Sequence, residues 1–315
     1  MKFFRVITAF MIILAGCGTL QAQQTQNTFD FLRMDLNPRA AALAGSLVAG
    51  TDDPNVIFYN PAGINSLDNM PVSFSYVKHL LDINLGGLSL VKNFQDIGHF
   101  GFAVNYINYG TFTKADEFAN RLGEAKAGEV AFILGYGNKL DENFFYGANV
   151  KFIYSSIIDR SSTAYAVDLG LQYLIPSQSI AIGLSGLNMG RQIKSYYDLN
   201  EDLPFDVRIG ISKKMERIPV KLFLSFNRIN DKQTKFADHL STFSFGTEFN
   251  LSKVLRLRLG YDNEKRKELK MGTTAGLAGF NIGVGALIKG YNFDYSYSSL
   301  GLVGSLSRIG ITTTF

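Results

Sequence analysis

The 315 residues carry 31 Lys+Arg against 27 Asp+Glu, and a net charge of +4 without any basic run marks no nucleic-acid partner. With 26 Phe, 15 Tyr, 31 Gly, seven Pro and no Trp, the composition suits a β-rich chain in which small residues let strands pack closely. The one cysteine, Cys17, lies near the start and excludes a disulfide framework.

Residues 1–22 read as a signal peptide. Lys2 and Arg5 form its basic end, Val6 to Leu14 its apolar core, and Leu20-Gln21-Ala22 a cleavage site before Gln23. Leu14-Ala15-Gly16-Cys17 has the form of a lipoprotein box and offers a second processing site. No later stretch approaches the ~18 continuous apolar residues of a membrane helix. A mature chain that crosses a membrane must therefore cross it with strands.

Residues 23–70 form an N-terminal periplasmic or plug segment without strand periodicity. Pro38 to Gly45 is Ala-rich and predicts a turn of helix. In Asp52-Asp53-Pro54-Asn55-Val56-Ile57-Phe58-Tyr59-Asn60-Pro61-Ala62-Gly63, prolines, asparagines and a closing Gly predict successive tight turns. An exposed loop would not carry Val56, Ile57, Phe58 and Tyr59 together. The segment therefore reads as irregular backbone packed inside a container, with Asn60, Pro61, Ala62 and Gly63 as its central motif.

From 71 to 315 the period is two. Phe100, Phe102, Val104 and Tyr106 alternate with Gly101, Ala103 and Asn105, and Phe293, Tyr295 and Tyr297 alternate with Asp294 and Ser296. One face is aromatic at strand ends and aliphatic between; the other holds Gly, Ser, Asn and isolated charges. That is the pattern of a lipid-facing wall around a polar lumen, the reverse of a soluble barrel. The predicted fold is all-β, a transmembrane antiparallel β-barrel of about 14 strands with an N-terminal plug. Predicted connections alternate between short turns, as at Gln95-Asp96 and Lys289-Gly290, and longer stretches at 110–127, 157–162, 189–204, 229–239 and 263–270. Both chain ends then fall in the periplasm. Residues 271–288 are read as one long strand kinked at Gly279. Closure removes edges that lipid would not tolerate.

Inward-facing charges at Lys151, Asp168, Arg208, Glu248, Arg256, Arg258, Asp294 and Arg308 are expected to be hydrated or paired, holding plug to wall. Asp116, Glu117 and Arg121 in 110–127, and Tyr196 and Tyr197 in 189–204, are the candidate surface contacts for a partner. Arg308-x-Gly310-x-x-Thr313-x-Phe315 resembles the terminal-strand signal read by barrel-assembly machinery, with Thr313 departing from the usual apolar choice. His79, His99 and His239 are far apart in sequence, and no metal-ligand spacing, nucleophile elbow or phosphate loop is present. Asp238-His239 is the one local hint of rim chemistry and reads as a solvated loop. No cofactor, metal or enzymatic activity is expected.

Pro38-Arg39-Ala40-Ala41-Ala42-Leu43-Ala44-Gly45, Asp52-Asp53 and Phe58-Tyr59-Asn60-Pro61-Ala62-Gly63 resemble the start of FadL-superfamily outer-membrane barrels. Tyr106-Ile107-Asn108-Tyr109-Gly110-Thr111-Phe112-Thr113-Lys114-Ala115-Asp116-Glu117 resembles the PorV/PorQ family of type IX secretion outer-membrane proteins, and its PorQ-like members in particular. Leu203-Pro204-Phe205, Leu259-Gly260-Tyr261-Asp262 and Phe293-Asp294-Tyr295-Ser296-Tyr297-Ser298 share that resemblance. It implies a non-enzymatic 14-stranded barrel in the outer membrane of a Bacteroidota-like bacterium. It also implies association with a surface attachment complex that includes a sortase-like protease, a PorV-type shuttle and a PorZ-type surface protein. The alternative within the superfamily is a FadL-like transporter of hydrophobic compounds, which would need an apolar pocket near the plug.

Overall fold

The computed structural model describes residues 27–231, 240–270 and 276–315. The expected signal peptide, Cys17, Asp238 and His239 lie outside the described residues.

The strands are β1 Pro71–Lys78, β2 Asn84–Phe94, β3 Gly98–Ala115, β4 Arg121–Asp141, β5 Phe144–Ile157, β6 Arg160–Ile175 and β7 Ile180–Lys194, followed by β8 Asp206–Lys214, β9 Val220–Phe226, β10 Phe243–Asn250, β11 Leu255–Asp262, β12 Phe280–Ile288, β13 Tyr291–Ser299 and β14 Ser305–Thr314. Each pairs antiparallel with its sequence neighbour, and β1 pairs with β14, closing the predicted barrel at fourteen strands. Phe74 opposes Ile311 across the closing seam. Met70 and Phe315 exchange both backbone bonds (3.1 Å each) just beyond it. Closure satisfies the peptide groups that a sheet edge would leave bare in lipid.

The outer face carries the aromatic girdles expected of a membrane barrel. At the short-turn end, Phe94, Phe100, Tyr136 and Tyr146 form a chain of edge contacts with ring centroids 5.5, 5.3 and 6.5 Å apart. At the opposite end, Phe243, Tyr261 and Phe280 stack at 5.9 and 5.0 Å, and Phe152 meets Tyr165 at 5.3 Å. Between them Leu134, Val150, Val284 and Ile309 are exposed, and one residue along each strand the side chains turn inward and are buried.

Two predicted connections differ. Residues 110–127 are not a loop: β3 runs to Ala115 and β4 starts at Arg121, leaving a tip at 116–120. The polar composition suggested a loop, but the ladder continues through a register shift between Asn108 and Thr111, where Gly110 takes φ 83°. Likewise β7 continues to Lys194, so that loop is 195–205. Residues 271–288 are not one kinked strand: β12 begins at Phe280, and Gly279, at φ 83°, turns the chain into it rather than bending it. Upstream, helix Asn263–Glu268 (α2; α1 is described next) is capped by Asp262, whose carboxylate accepts the Glu264 and Lys265 N–H groups (3.0 Å each).

Residues 28–70 run along the inner face. Helix Pro38–Ala42 (α1) follows Asn37, whose side chain accepts the Ala40 N–H at 3.0 Å. Two 3₁₀ turns, Pro54–Phe58 and Pro61–Ser66, start at Asp53 and Asn60. Wall glycines admit this backbone: a Cβ at Gly147 would lie 2.5 Å from the Pro61 carbonyl carbon, and one at Gly310 would lie 2.7 Å from Pro38 Cγ. Both barrel ends lie on the short-turn side, but the start of the described chain does not, because Thr28 bonds to Asp202 in the β7–β8 loop.

Gly147→Val should push residues 61–62 off the wall without preventing β4–β5 pairing. The expected outcome is a folded barrel whose heat-induced gel-mobility transition falls by several degrees; an unchanged transition would show that the contact is not tight.

Candidate functional site

Asn60 explains why the turn motif needs its residues. Its backbone is extended (φ −160°, ψ 108°), and its carboxamide oxygen accepts the Ala62 N–H at 3.0 Å. Its Nδ2 donates to the carbonyls of Val48 (2.9 Å) and Leu171 (3.0 Å), joining the segment to itself and to β6. Pro61 occupies the first position of the turn, where no N–H is needed. Ala62 and Gly63 are buried, and a side chain at Gly63 would overlap Val56. Asn55 does similar work above: Nδ2 donates to Ser73 Oγ (3.0 Å) and Oδ1 accepts from Ser89 Oγ (3.0 Å), tying the segment to β1 and β2.

The inward charges fall into separate groups. Arg39 of α1 donates through Nε and Nη2 to Glu248 (2.9 and 3.0 Å), and also reaches Asp52 (3.0 Å) and Asp53 (3.4 Å). Glu248 accepts in addition from Arg258 Nε (2.6 Å), and Arg258 Nη1 pairs with Asp294. Thus Glu248, Arg258 and Asp294, on β10, β11 and β13, form one buried chain that ends on the internal segment. Asp168 stands apart on β6, paired with Lys151 at 2.9 Å and accepting the Asn188 N–H at 2.8 Å. Asn188 sits at φ 60° in the bulge where β6 and β7 slip register. Arg208 lies at the other end of the lumen, holding Asp206 and standing 5.8 Å from the Tyr59 ring. Arg308 donates to Asp35 O at 2.7 Å, and the Asp35 carboxylate accepts from Tyr59 OH (2.8 Å) and Lys265 Nζ (3.0 Å). Arg256 belongs to none of these groups. It lines a cavity of ≈ 530 Å³ at the short-turn mouth with Lys214, Lys221 and Asn250.

Arg39, Asp35 and Lys265 were not singled out as site residues in the sequence. Only Arg39 carried a signal, as the one charge in an Ala-rich turn that otherwise calls for burial.

Apolar contacts dominate the long-loop half of the lumen on the β1–β6 side. Phe29, Phe31 and Leu36 of the internal segment pack against Val77, Leu85, Ile107, Ile153 and Leu203, with Leu32 and Met34 beside them. The upper segment is therefore fastened by hydrocarbon on the β1–β6 side and by the Asp35 ion pair on the other.

Asp116 and Glu117 lie in the exposed β3–β4 tip, and Arg121 is the first residue of β4 beside it. Hydrogen bonds from the Asn120 side chain and N–H, and from the Phe118 N–H, hold the Asp116 carboxyl below the usual carboxylate range, so this group is engaged within its own turn. Lys114 pairs with Asp159 at 2.7 Å, linking that hairpin to the β5–β6 turn. Tyr196 turns inward to bond Ser155, whereas Tyr197 is exposed under the Arg160 guanidinium, 4.3 Å from its ring. Gly310 faces Pro38, and the Phe315 side chain is exposed at the barrel's end. His99 Nε2 lies 3.1 Å from Leu67 O.

No protein-family model and no curated protein matches the chain. Solved structures do. The Pseudomonas putida toluene transporter TodX is 13% identical, with 91% of this chain and 98% of that one covered at a TM-score of 0.56. The Ralstonia pickettii toluene transporter TbuX is 14% identical, with 89% and 98% covered at 0.54. A Pseudomonas aeruginosa FadL homologue is 11% identical, with 89% and 98% covered at 0.54. The chain thus shares the fold of these barrels, two of which are toluene transporters and one a FadL homologue.

Glu248→Gln leaves Arg39 and Arg258 undercompensated in a buried site, and should cost about 3–5 kcal/mol in urea unfolding from detergent. Arg256→Gln, at the mouth, should change stability by no more than about 0.5 kcal/mol. Equal effects would mean that the buried chain does not hold the segment.

Proposed function

We propose that this chain is a FadL-like outer-membrane transporter of small hydrophobic compounds, and that residues 28–70 are its plug. The observation that carries this reading is the apolar packing in the long-loop half of the lumen. Phe29 and Phe31 occupy space lined by Val77, Leu85, Ile107, Ile153 and Leu203. A compound of similar size and polarity could take their place, since exchange of one hydrocarbon for another there costs little solvation energy. The lower plug, fastened through Arg39 and Asn60, would stay. Two toluene transporters and a FadL homologue with the same fold support this reading.

A second reading is favoured by a different observation. β3 to β7 have 14 to 21 residues each, against the ~9–11 a tilted transmembrane strand needs. Their long-loop ends and connections carry Phe112, Phe118, Leu122 and Tyr197, all exposed. A PorQ-like scaffold of type IX secretion would use this projecting sheet to hold a surface attachment complex, with Asp116, Glu117, Arg121 and Tyr197 at its edge. In either role the chain is exported by its signal peptide, and Gly310 and Phe315 belong to the signal read by barrel-assembly machinery.

Uptake of radiolabelled toluene separates the two. Cells carrying the barrel should take it up several-fold faster than cells without it, and Phe31→Ala should raise the rate further; equal rates with and without the barrel would sink the transporter. Replacing residues 111–127 by a short Gly/Ser turn should leave a heat-modifiable barrel. If the scaffold reading holds, that barrel loses the surface proteins that co-purify with the parent; retention of them would exclude the hairpin as the contact.

A further inference from the structure

The outer wall is not uniform. Near the closing seam it holds an apolar cleft of ≈ 570 Å³ across β11, β12, β13, β14 and β1. Strand register sets Leu255, Ala286, Phe293, Ile311 and Phe74 side by side on these five strands. Ala286 is the one small residue in that row. Leu255, Phe293 and Phe74 are exposed and stand higher, so the wall dips at Ala286.

The short-turn end of the cleft is cationic. Lys253 stands in the β10–β11 turn and Lys289 in the β12–β13 turn, and both are exposed. Val254 O accepts the Leu287 N–H at 2.8 Å, which draws the two turns together. Among the described residues no carboxylate pairs with either lysine. Two cations held close without a counter-charge repel one another, and an anion between them removes that cost. From Ala286 to Lys289 is three residues, about 10 Å along a strand. One phospholipid covers that distance between its phosphate and the first methylenes of its chain. A second apolar cleft, of ≈ 490 Å³ and lined by Ala148, ends differently. There Lys92 lies 5.2 Å from the Phe94 ring centroid, and Asp96 and Glu142 occupy the adjoining turns.

Short turns face the periplasm in outer-membrane barrels, so the cleft over Ala286 opens to the inner leaflet. We propose that it is a binding site for one anionic phospholipid. An acyl chain lies over Ala286 between Leu255 and Phe293, and the phosphate sits between Lys253 and Lys289. Lysines beside a membrane surface favour headgroups of net negative charge. A phosphatidylglycerol is therefore held in preference to a phosphatidylethanolamine, whose own ammonium competes for the phosphate. The cleft lined by Ala148 has acids in its adjoining turns and takes either lipid alike.

This inference rests on the membrane reading of the barrel and not on what, if anything, passes through its lumen. Native mass spectrometry of the delipidated full barrel in detergent tests it, with dioleoyl phosphatidylglycerol and dioleoyl phosphatidylethanolamine added in turn. The parent should retain one phosphatidylglycerol several-fold more than phosphatidylethanolamine. The double variant Lys253→Gln/Lys289→Gln, altered only in exposed turns, should lose that preference, and Lys92→Gln should keep it. Ala286→Phe, which fills the dip, should lose the retained lipid. Heat-modifiable mobility on gels confirms that each variant is folded. Equal retention of the two lipids by the parent, or a preference that survives in the double lysine variant or in Ala286→Phe, shows annular lipid only and overturns the site.

Discussion

The Arg39 guanidinium is the interaction on which the interior depends. It is buried, and it shares its donors among Glu248 on the wall and Asp52 and Asp53 on the internal segment. A planar donor fork can serve several carboxylates in a way that a lysine ammonium cannot. Because Glu248 also binds Arg258, and Arg258 binds Asp294, one residue of a short helix reaches wall strands from β10 to β13. Glu248 has both of its arginine partners, and Arg39 its wall carboxylate, only while the segment is seated. The same groups that would be costly to bury singly therefore make the seated arrangement specific.

Amides do the corresponding work on the other side of the lumen. Asn55 and Asn60 contact β1, β2 and β6 through uncharged donors and acceptors, which fit close against Ser73, Ser89 and Gly170. Small wall residues are thus the complement of an irregular backbone. Where the segment is polar the wall is Ser and Gly, and where it is Phe29 and Phe31 the wall is Val, Leu, Ile and Ala. On the β1–β6 side the upper lumen is accordingly filled with hydrocarbon, while on the opposite side Asp35 still ties the segment to Lys265 and Arg308.

The sequence carried the barrel because its two faces differ in kind at every second residue. Phe293, Tyr295 and Tyr297 against Asp294 and Ser296 leave no other arrangement for a strand in lipid. The turn chemistry of Asp53-Pro54 and Asn60-Pro61 was equally readable, since both side chains act within their own turns. Loops were harder. In 110–127 charged residues signalled solvent, and solvent is correct, but a β-ladder is equally at home there once it has left the membrane. The region before β12 failed for the opposite reason: small apolar residues prolonged the apparent strand period past Gly279, where the backbone turns. Ion partners were the least legible, because Arg39 and Glu248 lie 209 residues apart and only closure of the sheet brings them together.

The unequal strands also shape the surrounding bilayer. β9 has seven residues and β10 and β11 eight each, whereas β4 has 21. Seven residues extend about 23 Å along a strand, and a tilt near 40° shortens this to about 18 Å of height, less than the ~25 Å apolar band usual for such barrels. Lipids against β9 must therefore compress or tilt their chains, while those against β4 need not. The wall thus has a low flank at β9–β11 and a tall one at β3–β7, two sides that meet surrounding lipid over different heights.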